Sequence, residues 1–454
     1  MFKKVLIANR GEIAVRIIRT LREMGITSIA VFSEADRDAL HTQLADEAIC
    51  IGPAKSLDSY QNIPAILSAA LVTGADAIHP GYGFLSERSD FVALCEEVGI
   101  TFIGPKSQVI EAMGNKQNAR HTMRQAGVPV TPGSQGLVHT LDEAWQIADE
   151  IGFPLIIKAA DGGGGKGMRR VELAEQFEEL FNQAQLETQT VYGNQDLYIE
   201  RIIYPAKHIE VQLLADSYGN VIHLGERDCS LQRNNQKVIE IAPAQSLTEQ
   251  TRQEVCRLAV KAAQAIGYTN AGTIEFLVDE ANCIYFMEMN TRLQVEHPIT
   301  EMITGVDIVK EQILIAAGER LAYQQSDIQF NGVAIECRLN AEDPFANFRP
   351  SSGRIEQLIL PAGGMGLRIE SAVYPQYTLP PYYDSMIAKI IVHQPTREAA
   401  LTVLKRALVE VMVEGITTNV ELLEALVHDP VVQADEYHTK WLEEVMLPNW
   451  TERS

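Results

Sequence analysis

The sequence predicts a multidomain protein of mixed α/β and α+β class, and three features support that class. Apolar runs of strand length alternate with amphipathic helical stretches over residues 3–105, as in a parallel sheet. A glycine run at 162–165 lies between two strand-like segments. The C-terminal part combines apolar strands with helical stretches at about 397–413 and 418–428. A chain of 454 residues has room for two or three such domains.

The N-terminal part predicts a parallel sheet with a ligand site at one edge. Strands are expected at residues 3–8, 28–33 and 101–105, with helices between them. In such sheets ligands bind beyond the carboxyl ends of the strands, where Asn9-Arg10-Gly11 and His79–Gly83 fall. The G-x-G-x-x-G pattern does not follow the first strand, which argues against an NAD-binding domain.

The charge and cysteine content exclude several classes of partner. A net charge of −22 argues against nucleic acid and against anionic membranes. The six cysteines are scattered without a C-x-x-C pair, which favours a reduced interior. The apolar run at the N-terminus is too short for a signal peptide, and no stretch approaches the roughly 20 apolar residues of a membrane span. These observations predict a cytoplasmic protein.

The glycine run predicts a phosphate-binding lid. Lys158 ends a strand, Gly162–Gly165 follow, and Lys166 comes before the returning strand. Glycines adopt positive φ without steric cost, so successive backbone N–H groups can approach phosphate oxygens. Gly167 stands where a Walker A loop would need Ser or Thr, so this is not a P-loop. A flexible connector is the alternative.

Residues 273–298 predict a β-hairpin that carries two opposed carboxylates. If Ala281 and Asn282 form a two-residue loop, Glu275 lies opposite Glu288 and Leu277 lies opposite Phe286. Opposed like charges repel, so a cation is expected nearby. Glu275 and Glu288 share a strand face with Asn290, and these three supply the hard oxygen ligands that Mg²⁺ or Mn²⁺ prefers. The alternative is an exposed hairpin whose acidic residues meet water.

Polar residues on other segments extend this candidate site. Arg292, Gln294 and Glu296 continue the alternation of the second strand, as in an active-site wall. The segment that contains Gln232 and Lys237 is partly basic and is a candidate source of the cation, with a solvated loop as the alternative. His208 taken alone is more typical of a structural histidine. Arg338 interrupts an apolar strand, so it is either a salt-bridge anchor or a catalytic cation.

Six motifs in order then identify a family. IANRGEIA, HPGYGFLSE, KAADGGGGKGM, ERDCSLQR, MNTRLQVEHP and PPYYDSMIAK together resemble biotin carboxylase, an ATP-grasp enzyme, over residues 1 to about 445. The resemblance implies an N-terminal parallel-sheet (pre-ATP-grasp) domain at 1–114, an ATP-grasp domain at 115–330 and a C-terminal α+β domain at 331–446. The mobile glycine-rich lid would occupy about 130–205, and a helix is expected at about 300–317.

The family reaction joins bicarbonate to carrier-bound biotin with consumption of ATP, and the resemblance implies a role for individual residues. ATP would be bound by Lys116, Lys158, Gly164, Gly165, the Glu200-Arg201-Ile202-Ile203 linker, His208 and Gln232, together with Glu275 and Glu288. Two Mg²⁺ or Mn²⁺ ions would be held by Glu275, Glu288 and Asn290. Bicarbonate and biotin would be bound by Lys237, Arg292, Gln294, Val295, Arg338 and Tyr82. Glu296 would be the general base, and Arg338 would stabilise the biotin enolate.

The sequence departs from the family at some positions. Arg233-Asn234-Asn235-Gln236-Lys237 stands where Arg-Arg-His-Gln-Lys is common, which removes a possible phosphate contact. Arg201 replaces a common Lys, but a backbone contact would survive that change.

The resemblance also implies partners. The chain has no Met-Lys dipeptide of the kind that accepts biotin, so a separate biotin carboxyl carrier protein and carboxyltransferase subunits are expected, with a homodimer as the family assembly. The expected complex is an acetyl-CoA carboxylase of fatty acid synthesis, and a two-chain pyruvate or other acyl-CoA carboxylase is the alternative. A carboxylate–amine ligase or an ATP-sensing module would explain the metal and glycine residues but not Glu296 and Arg338.

Overall fold

The computed structural model describes residues 1–159 and 168–450. The N-terminal sheet is parallel throughout, with strand order β3-β2-β1-β4-β5. Its strands are β1 (Lys4–Ile7), β2 (Thr27–Ser33), β3 (Glu47–Gly52), β4 (Ala77–His79) and β5 (Thr101–Phe102). The accompanying helices are α1 (Gly11–Glu23), α2 (Leu40–Leu44), α3 (Ile63–Thr73), α4 (Ser89–Glu97) and α5 (Ser107–Gly114). The central strand β1 is apolar at successive positions because both of its faces are buried: Val5 and Ile7 enter one core and Leu6 enters another.

A small antiparallel sheet with its own apolar core lies within residues 138–201. After α6 (Lys116–Gln125) come α7 (Leu141–Ile151), β6 (Leu155–Ala159), β7 (Met168–Val171), α8 (Phe177–Tyr192) and β8 (Leu197–Arg201). The sheet order is β7-β6-β8, and α7 and α8 pack on it. The predicted phosphate contacts Gly164 and Gly165, with Lys166, lie outside the described residues.

The following elements form the rest of the central and C-terminal parts. The strands are β9 (Ala206–Ala215), β10 (Val221–Arg233), β11 (Gln236–Ala242), β12 (Asn270–Asp279), β13 (Ile284–Asn290), β14 (Val333–Asn340), β15 (Glu342–Asp343), β16 (Arg349–Pro350), β17 (Gly353–Arg354), β18 (Gln357–Ile359), β19 (Leu367–Ser371), β20 (Thr378–Leu379), β21 (Met386–Gln394) and β22 (Met412–Glu414). The helices are α9 (Glu249–Ala265), α10 (His297–Thr304), α11 (Ile308–Ala316), α12 (Arg397–Val409), α13 (Val420–His428), α14 (Pro430–Ala434), a π-helix (Leu442–Met446) and α15 (Leu447–Asn449).

One large antiparallel sheet runs through both parts, in the order β13-β12-β9-β10-β11-β14-β21-β19. The chain returns to this sheet after residue 330, because β14 pairs with β11 from Ala242↔Ala334 to Ile239↔Cys337. Helices α10 and α12 pack against β14 and β21. The candidate site lies on this sheet.

The structure changes the bounds of two predicted elements and excludes one alternative that the sequence left open. The helix expected at about 300–317 is divided, because Gly305 has φ +71° and Asp307 caps a new helix at Ile308. The segment around Gln232 and Lys237 is not a solvated loop, since β10 and β11 form an antiparallel hairpin there that is largely buried. The sequence also predicts a strand over residues 380–393, but β21 begins only at Met386.

Among the helices of residues 1–159 and 168–450, none combines the length and the apolar composition that a membrane crossing requires. In the same part of the chain, which includes every cysteine, each thiol is free.

Candidate active site

The β12–β13 hairpin brings its carboxylates together as predicted, but its loop length and part of its register differ from the prediction. Glu275 pairs with Glu288, and Thr273 pairs with Asn290. The loop has three residues (280–282), with Asn282 at φ +62°, and the extra residue is offset by a β-bulge at Met287. The predicted two-residue loop is therefore wrong.

The bulge also changes the pairing beyond it. Leu277 lies opposite Tyr285, where the sequence predicted Phe286. Phe286 turns into the apolar core against Phe276, while Met287 faces a cavity.

The predicted cation beside Glu275 is Lys237. Its Nζ lies 3.3 Å from Glu275 Oε1, and His208 Nε2 lies 2.9 Å from Glu275 Oε2. Burial alone would raise the pKa of Glu275, but Lys237 and His208 hold that pKa well below its usual range. The alternative in which these acidic residues simply meet water is wrong for Glu275, whose side chain is 8% exposed. The Glu288 side chain does meet water, since it is 41% exposed. Its Oε2 also lies 3.3 Å from Lys116 Nζ.

Lys237 is the centre of a buried cluster of acids. Its Nζ contacts Glu210 Oε2 at 2.5 Å and forms a close hydrogen bond to Glu296. Burial by itself would lower the pKa of Lys237, but the surrounding negative groups, Glu210, Glu275 and Glu296 among them, raise it well above normal. Lys237 is therefore a fixed positive charge, two residues after the Asn234-Asn235 turn of the β10–β11 hairpin.

Glu296 lies between two cations. Besides Lys237 it contacts Arg338, whose Nη2 is 2.9 Å from Glu296 Oε2. Burial and the neighbouring Glu210 act to raise the pKa of Glu296, but Lys237 and Arg338 outweigh them and lower it. Glu296 is 2% exposed and is ionised near neutral pH, so its carboxylate is able to accept a proton.

Arg338 is also held from the other side. Its Nε donates to Glu240 Oε1 at 2.6 Å, and Glu240 is fully buried. Burial raises the pKa of Glu240 to about 7, although the guanidinium of Arg338 opposes the rise. The two possibilities left open for Arg338, salt-bridge anchor and catalytic cation, are therefore compatible.

The residues after β13 connect the hairpin to the N-terminal part. Arg292 Nε lies 2.9 Å from Glu87 Oε2, and Arg292 Nη2 donates to the side-chain oxygen Oδ1 of Asn290 at 2.9 Å. Gln294 donates to Glu275 Oε1 at 2.7 Å. The alternating residues Arg292, Gln294 and Glu296 thus all lie on one wall of the site, as the sequence predicted.

Beneath this wall lies a fully buried arginine that sequence analysis missed. Arg227 donates to Glu210 Oε1 at 2.6 Å, to Gln294 Oε1 at 2.5 Å and to Gln212 Oε1 at 2.9 Å. A signal was present: His208, Glu210 and Gln212 alternate along an otherwise apolar strand, which indicates one polar face on β9. Because Glu210 shares this polar face with His208, the alternation would have identified Glu210 as a site residue.

A cavity of about 850 Å³ collects most of the predicted residues. The predicted residues that line it are Tyr82, Lys116, His208, Gln232, Lys237, Glu275, Glu288, Asn290, Arg292, Gln294, Val295, Glu296 and Arg338. Within the described ranges, Lys158 and the segment Glu200–Ile203 do not line it. Asn9, Arg10 and Gly11 also line it, as expected for the ligand-binding edge of the parallel sheet. Glu12, Tyr382 and Tyr383 line it as well, although the sequence analysis assigned them no role.

Lys158 belongs to a separate ion-pair group. Its Nζ lies 2.5 Å from Glu200 Oε2, and Arg120 contacts the other oxygen of the same carboxylate. Burial acts to raise the pKa of Glu200, but Lys158 and Arg120 lower it. The Glu200 side chain therefore neutralises Lys158, a role that the prediction of a backbone linker did not include. Ile202 donates its N–H to the Pro154 carbonyl at 3.0 Å.

The donor set suits a hard divalent cation. Two carboxylates face each other across a strand pair, and an amide oxygen lies on the same strand face two residues further on. Oxygen ligands of this kind, with room left for phosphate oxygens, match Mg²⁺ or Mn²⁺ rather than a thiophilic metal. A divalent cation would also offset the repulsion between Glu275 and Glu288.

Comparison with known proteins agrees with this description. Three family models match: "Biotin carboxylase, N-terminal domain" over residues 1–110, "Carbamoyl-phosphate synthase L chain, ATP binding domain" over 115–324 and "Biotin carboxylase C-terminal domain" over 336–444. Biotin carboxylase 1 of Bacillus subtilis is 56% identical, covering 98% of each chain. The 2-oxoglutarate carboxylase small subunit of Hydrogenobacter thermophilus is 52% identical, covering 98% of this chain and 94% of that protein.

A solved structure supports the same assignment. The biotin carboxylase domain dimer of the Hydrogenobacter thermophilus 2-oxoglutarate carboxylase, in complex with MgADP, ADP and bicarbonate, superposes with a TM-score of 0.91. It is 51% identical in sequence and covers 100% of both chains. A parallel N-terminal sheet, a central ATP-binding domain and a mixed C-terminal domain define an ATP-grasp enzyme. This chain belongs to the biotin carboxylase family.

Proposed function

We propose that the chain carboxylates biotin on a separate carrier protein, using ATP and bicarbonate by way of carboxyphosphate. The observation that carries this proposal is Glu296, a buried ionised carboxylate held between Lys237 and Arg338 on the wall of the cavity that contains Glu275 and Glu288. A base between two cations is suited to a small anionic substrate that must lose a proton.

ATP is proposed to bind across the cavity and the small sheet β7-β6-β8. Lys116, His208 and Gln232 lie on the cavity side, while Lys158, Gly164, Gly165 and the backbone of Glu200–Ile203 would contact ATP from the lid. Glu275, Glu288 and Asn290 would hold two Mg²⁺ or Mn²⁺ ions, which neutralise charge on the phosphates when bound. Lys158 would leave Glu200 for a phosphate oxygen, because both offer it a charge-assisted hydrogen bond.

Bicarbonate is proposed to bind against Lys237, Arg292, Gln294 and Val295. Glu296 takes the bicarbonate proton, and the resulting dianion attacks the γ-phosphorus of ATP, with ADP as the leaving group. Lys237 and Arg338 stabilise the negative charge that gathers near Glu296. Their proximity, with Arg338 at 2.9 Å, is the support for this assignment.

Carboxyphosphate then yields CO2 and phosphate, and the phosphate removes the N1 proton of biotin. The biotin enolate is stabilised by the guanidinium of Arg338, and its N1 attacks CO2. Glu240 keeps Arg338 in place on the strand while Glu296 changes its protonation state. Tyr82, on the loop after β4, would contact biotin from the opposite wall.

The assembly is proposed by comparison with the relatives. The relative of known structure forms a dimer, which supports a homodimer here. A biotin carboxyl carrier protein and carboxyltransferase subunits would complete the complex, in the cytoplasm. We keep the domain division 1–114, 115–330 and 331–446, which is close to the ranges of the three family models.

Acetyl-CoA is proposed as the final acceptor, which gives malonyl-CoA for fatty acid synthesis. The Hydrogenobacter thermophilus relative, named as a subunit of 2-oxoglutarate carboxylase, favours a second candidate in which the acceptor is an oxo acid, such as 2-oxoglutarate or pyruvate. The carboxyl group leaves on the carrier, so the acceptor does not enter the cavity described here.

The test is ADP release by the purified chain in bicarbonate-depleted and bicarbonate-replete buffer, with and without free biotin. We expect release that needs bicarbonate and Mg²⁺ and rises with biotin. Release that is indifferent to both bicarbonate and biotin would point to another ATP-grasp ligase.

A second stage of the same experiment addresses the acceptor. A biotinylated carrier is charged with labelled bicarbonate and then offered to carboxyltransferases for acetyl-CoA and for pyruvate. Label in malonyl-CoA supports the proposed acceptor, whereas label only in the oxo-acid product supports the second candidate.

A further inference from the structure

A lysine and a glutamate that the proposed mechanism does not use form an ion pair at the cavity wall, with Glu12 lining the cavity and Lys389 lying behind it. Lys389 on β21 is 0% exposed, and Glu12 on α1 is 6% exposed. The Lys389 Nζ lies 3.2 Å from Glu12 Oε2. An unpaired buried charge is costly, so a pair kept at such a position needs a reason.

Lys389 holds the backbone next to the proposed base. Its Nζ donates to the Val295 carbonyl oxygen at 2.9 Å. That carbonyl and the N–H of Glu296 belong to one planar peptide unit, so a charge-assisted bond to the oxygen fixes the orientation of the whole unit. In the sheet, Lys389 lies directly opposite Arg338, which contacts the Glu296 carboxylate itself. Glu296 is thus supported from its backbone by one cation and from its side chain by another.

Glu12 connects the same pair to the opposite wall. The Tyr82 hydroxyl donates to Glu12 Oε1, and both residues line the cavity. The backbone of the Tyr82 loop is held as well, because the Asn9 amide donates to the carbonyls of Pro80 and Tyr82, each at 2.7 Å. The chain Val295–Lys389–Glu12–Tyr82 therefore crosses beneath the cavity from the bicarbonate side to the biotin side.

We infer that Lys389 and Glu12 are positioning residues that set the distance between the Val295–Glu296 peptide and the Tyr82 loop, and so align bicarbonate with biotin. This inference rests on the proposed function. Neither residue contacts a reacting atom, since each acts through a residue of the wall. Burial raises the pKa of the Glu12 carboxyl, while the ammonium of Lys389 opposes the rise.

The test compares Lys389→Met, Glu12→Gln and the double variant. Each single variant leaves one buried group without its partner, so both should lower the thermal unfolding midpoint; the double variant removes both charges and should recover part of that loss. Lys389→Met and the double variant should lower kcat/KM for bicarbonate about ten- to hundredfold through misalignment of the base, with the KM for ATP within about twofold of wild type.

Arg252→Met is the matched control. It breaks another ion pair away from the cavity, in which Nε of the half-buried Arg252 lies 2.7 Å from Oε1 of the buried Glu226. This variant should lower the unfolding midpoint without changing the KM for bicarbonate. A double variant with wild-type bicarbonate kinetics would overturn the inference, and so would an equal loss in Arg252→Met. If wild-type turnover itself ignores bicarbonate, it is the proposed function that fails.

Discussion

Glu296, the proposed base, is a carboxylate whose surroundings keep it ionised and fix its orientation. It is buried, and its two oxygens face Lys237 and Arg338. The same glutamate on an open surface would have an ordinary pKa and no orientation. The cations lower its pKa and keep it ionised, while burial keeps water from competing for the proton.

Replacement of Glu296 by Gln keeps the shape and removes the base. Because general base catalysis contributes about 10²–10⁴-fold, we expect bicarbonate-dependent turnover to fall by at least about 10². Nucleotide affinity should stay within a few-fold, since His208, Gln232 and Lys116 are unchanged. Steady-state kinetics and nucleotide titration measure the two quantities. A folded variant that loses nucleotide binding would contradict the assigned role, and Glu226→Gln, which alters a buried Glu–Arg pair elsewhere, is the control.

At the scale of elements, the β10–β11 hairpin explains the departure from the family pattern at 234–235. Arg233 pairs with Gln236, so Asn234 and Asn235 form a two-residue turn, and both have positive φ, at +49° and +62°. Such turns favour Asn and Gly, because a side chain with a β-branch clashes in this conformation. The asparagines therefore suit the turn, which leads directly into Lys237.

Asn235→Val should lower the free energy of unfolding by roughly 1 kcal/mol or more, from the steric cost of positive φ, whereas Asn235→Gly should leave it nearly unchanged. Thermal unfolding midpoints of the two variants measured side by side check this. Equal midpoints for Val and Gly would contradict the described turn.

At the scale of the whole molecule, the buried Asp36 connects the N-terminal part to the C-terminal part. Asp36 accepts two hydrogen bonds from Arg10, at 2.6 and 2.8 Å, and others from the hydroxyls of Tyr60 and Tyr377, at 2.6 and 3.3 Å. Burial acts to raise the pKa of Asp36, but Arg10 lowers it below its usual value. Arg10 also lines the cavity, so Asp36 holds a cavity residue and a C-terminal tyrosine in the same cluster.

Asp36→Asn should therefore destabilise the protein in a pH-dependent way. A depressed folded-state pKa means that the stabilisation is present above the unfolded value of about 3.9 and is lost as the pH falls through the lower folded value. We expect Asp36→Asn to lower the free energy of unfolding by roughly 3 kcal/mol at pH 7, as for other broken buried pairs. The difference in this free energy between variant and wild type should become smaller below about pH 4. Unfolding midpoints from pH 3 to pH 7 measure it.

The matched control for that series is Asp90→Asn. Asp90 also pairs with an arginine, Arg88 at 2.5 Å, but the Asp90 side chain is 53% exposed. Solvent screens such a pair, so its removal should have little effect at any pH. If the difference in unfolding midpoint between Asp36→Asn and wild type stays constant with pH, Asp36 acts by packing alone.

The sequence by itself determined the family, and most of the site residues that it predicted line the cavity. Strand alternation was enough to put Asn290 on the same face as Glu288, because side-chain direction along a strand has a fixed period of two. The opposition of Glu275 and Glu288 was predicted from a two-residue loop, and it holds because the bulge at Met287 offsets the third loop residue. The ordered motifs identified the biotin carboxylase family, which the comparisons confirm.

Tertiary structure alone decided how these residues are supported. The buried partners Arg227, Glu240, Glu12 and Lys389 come from segments far apart in the chain. Local periodicity reports which face a residue occupies, but not which distant side chain it meets there. Buried charges are tolerated only in pairs, and the pairing is settled when the sheet and helices pack together.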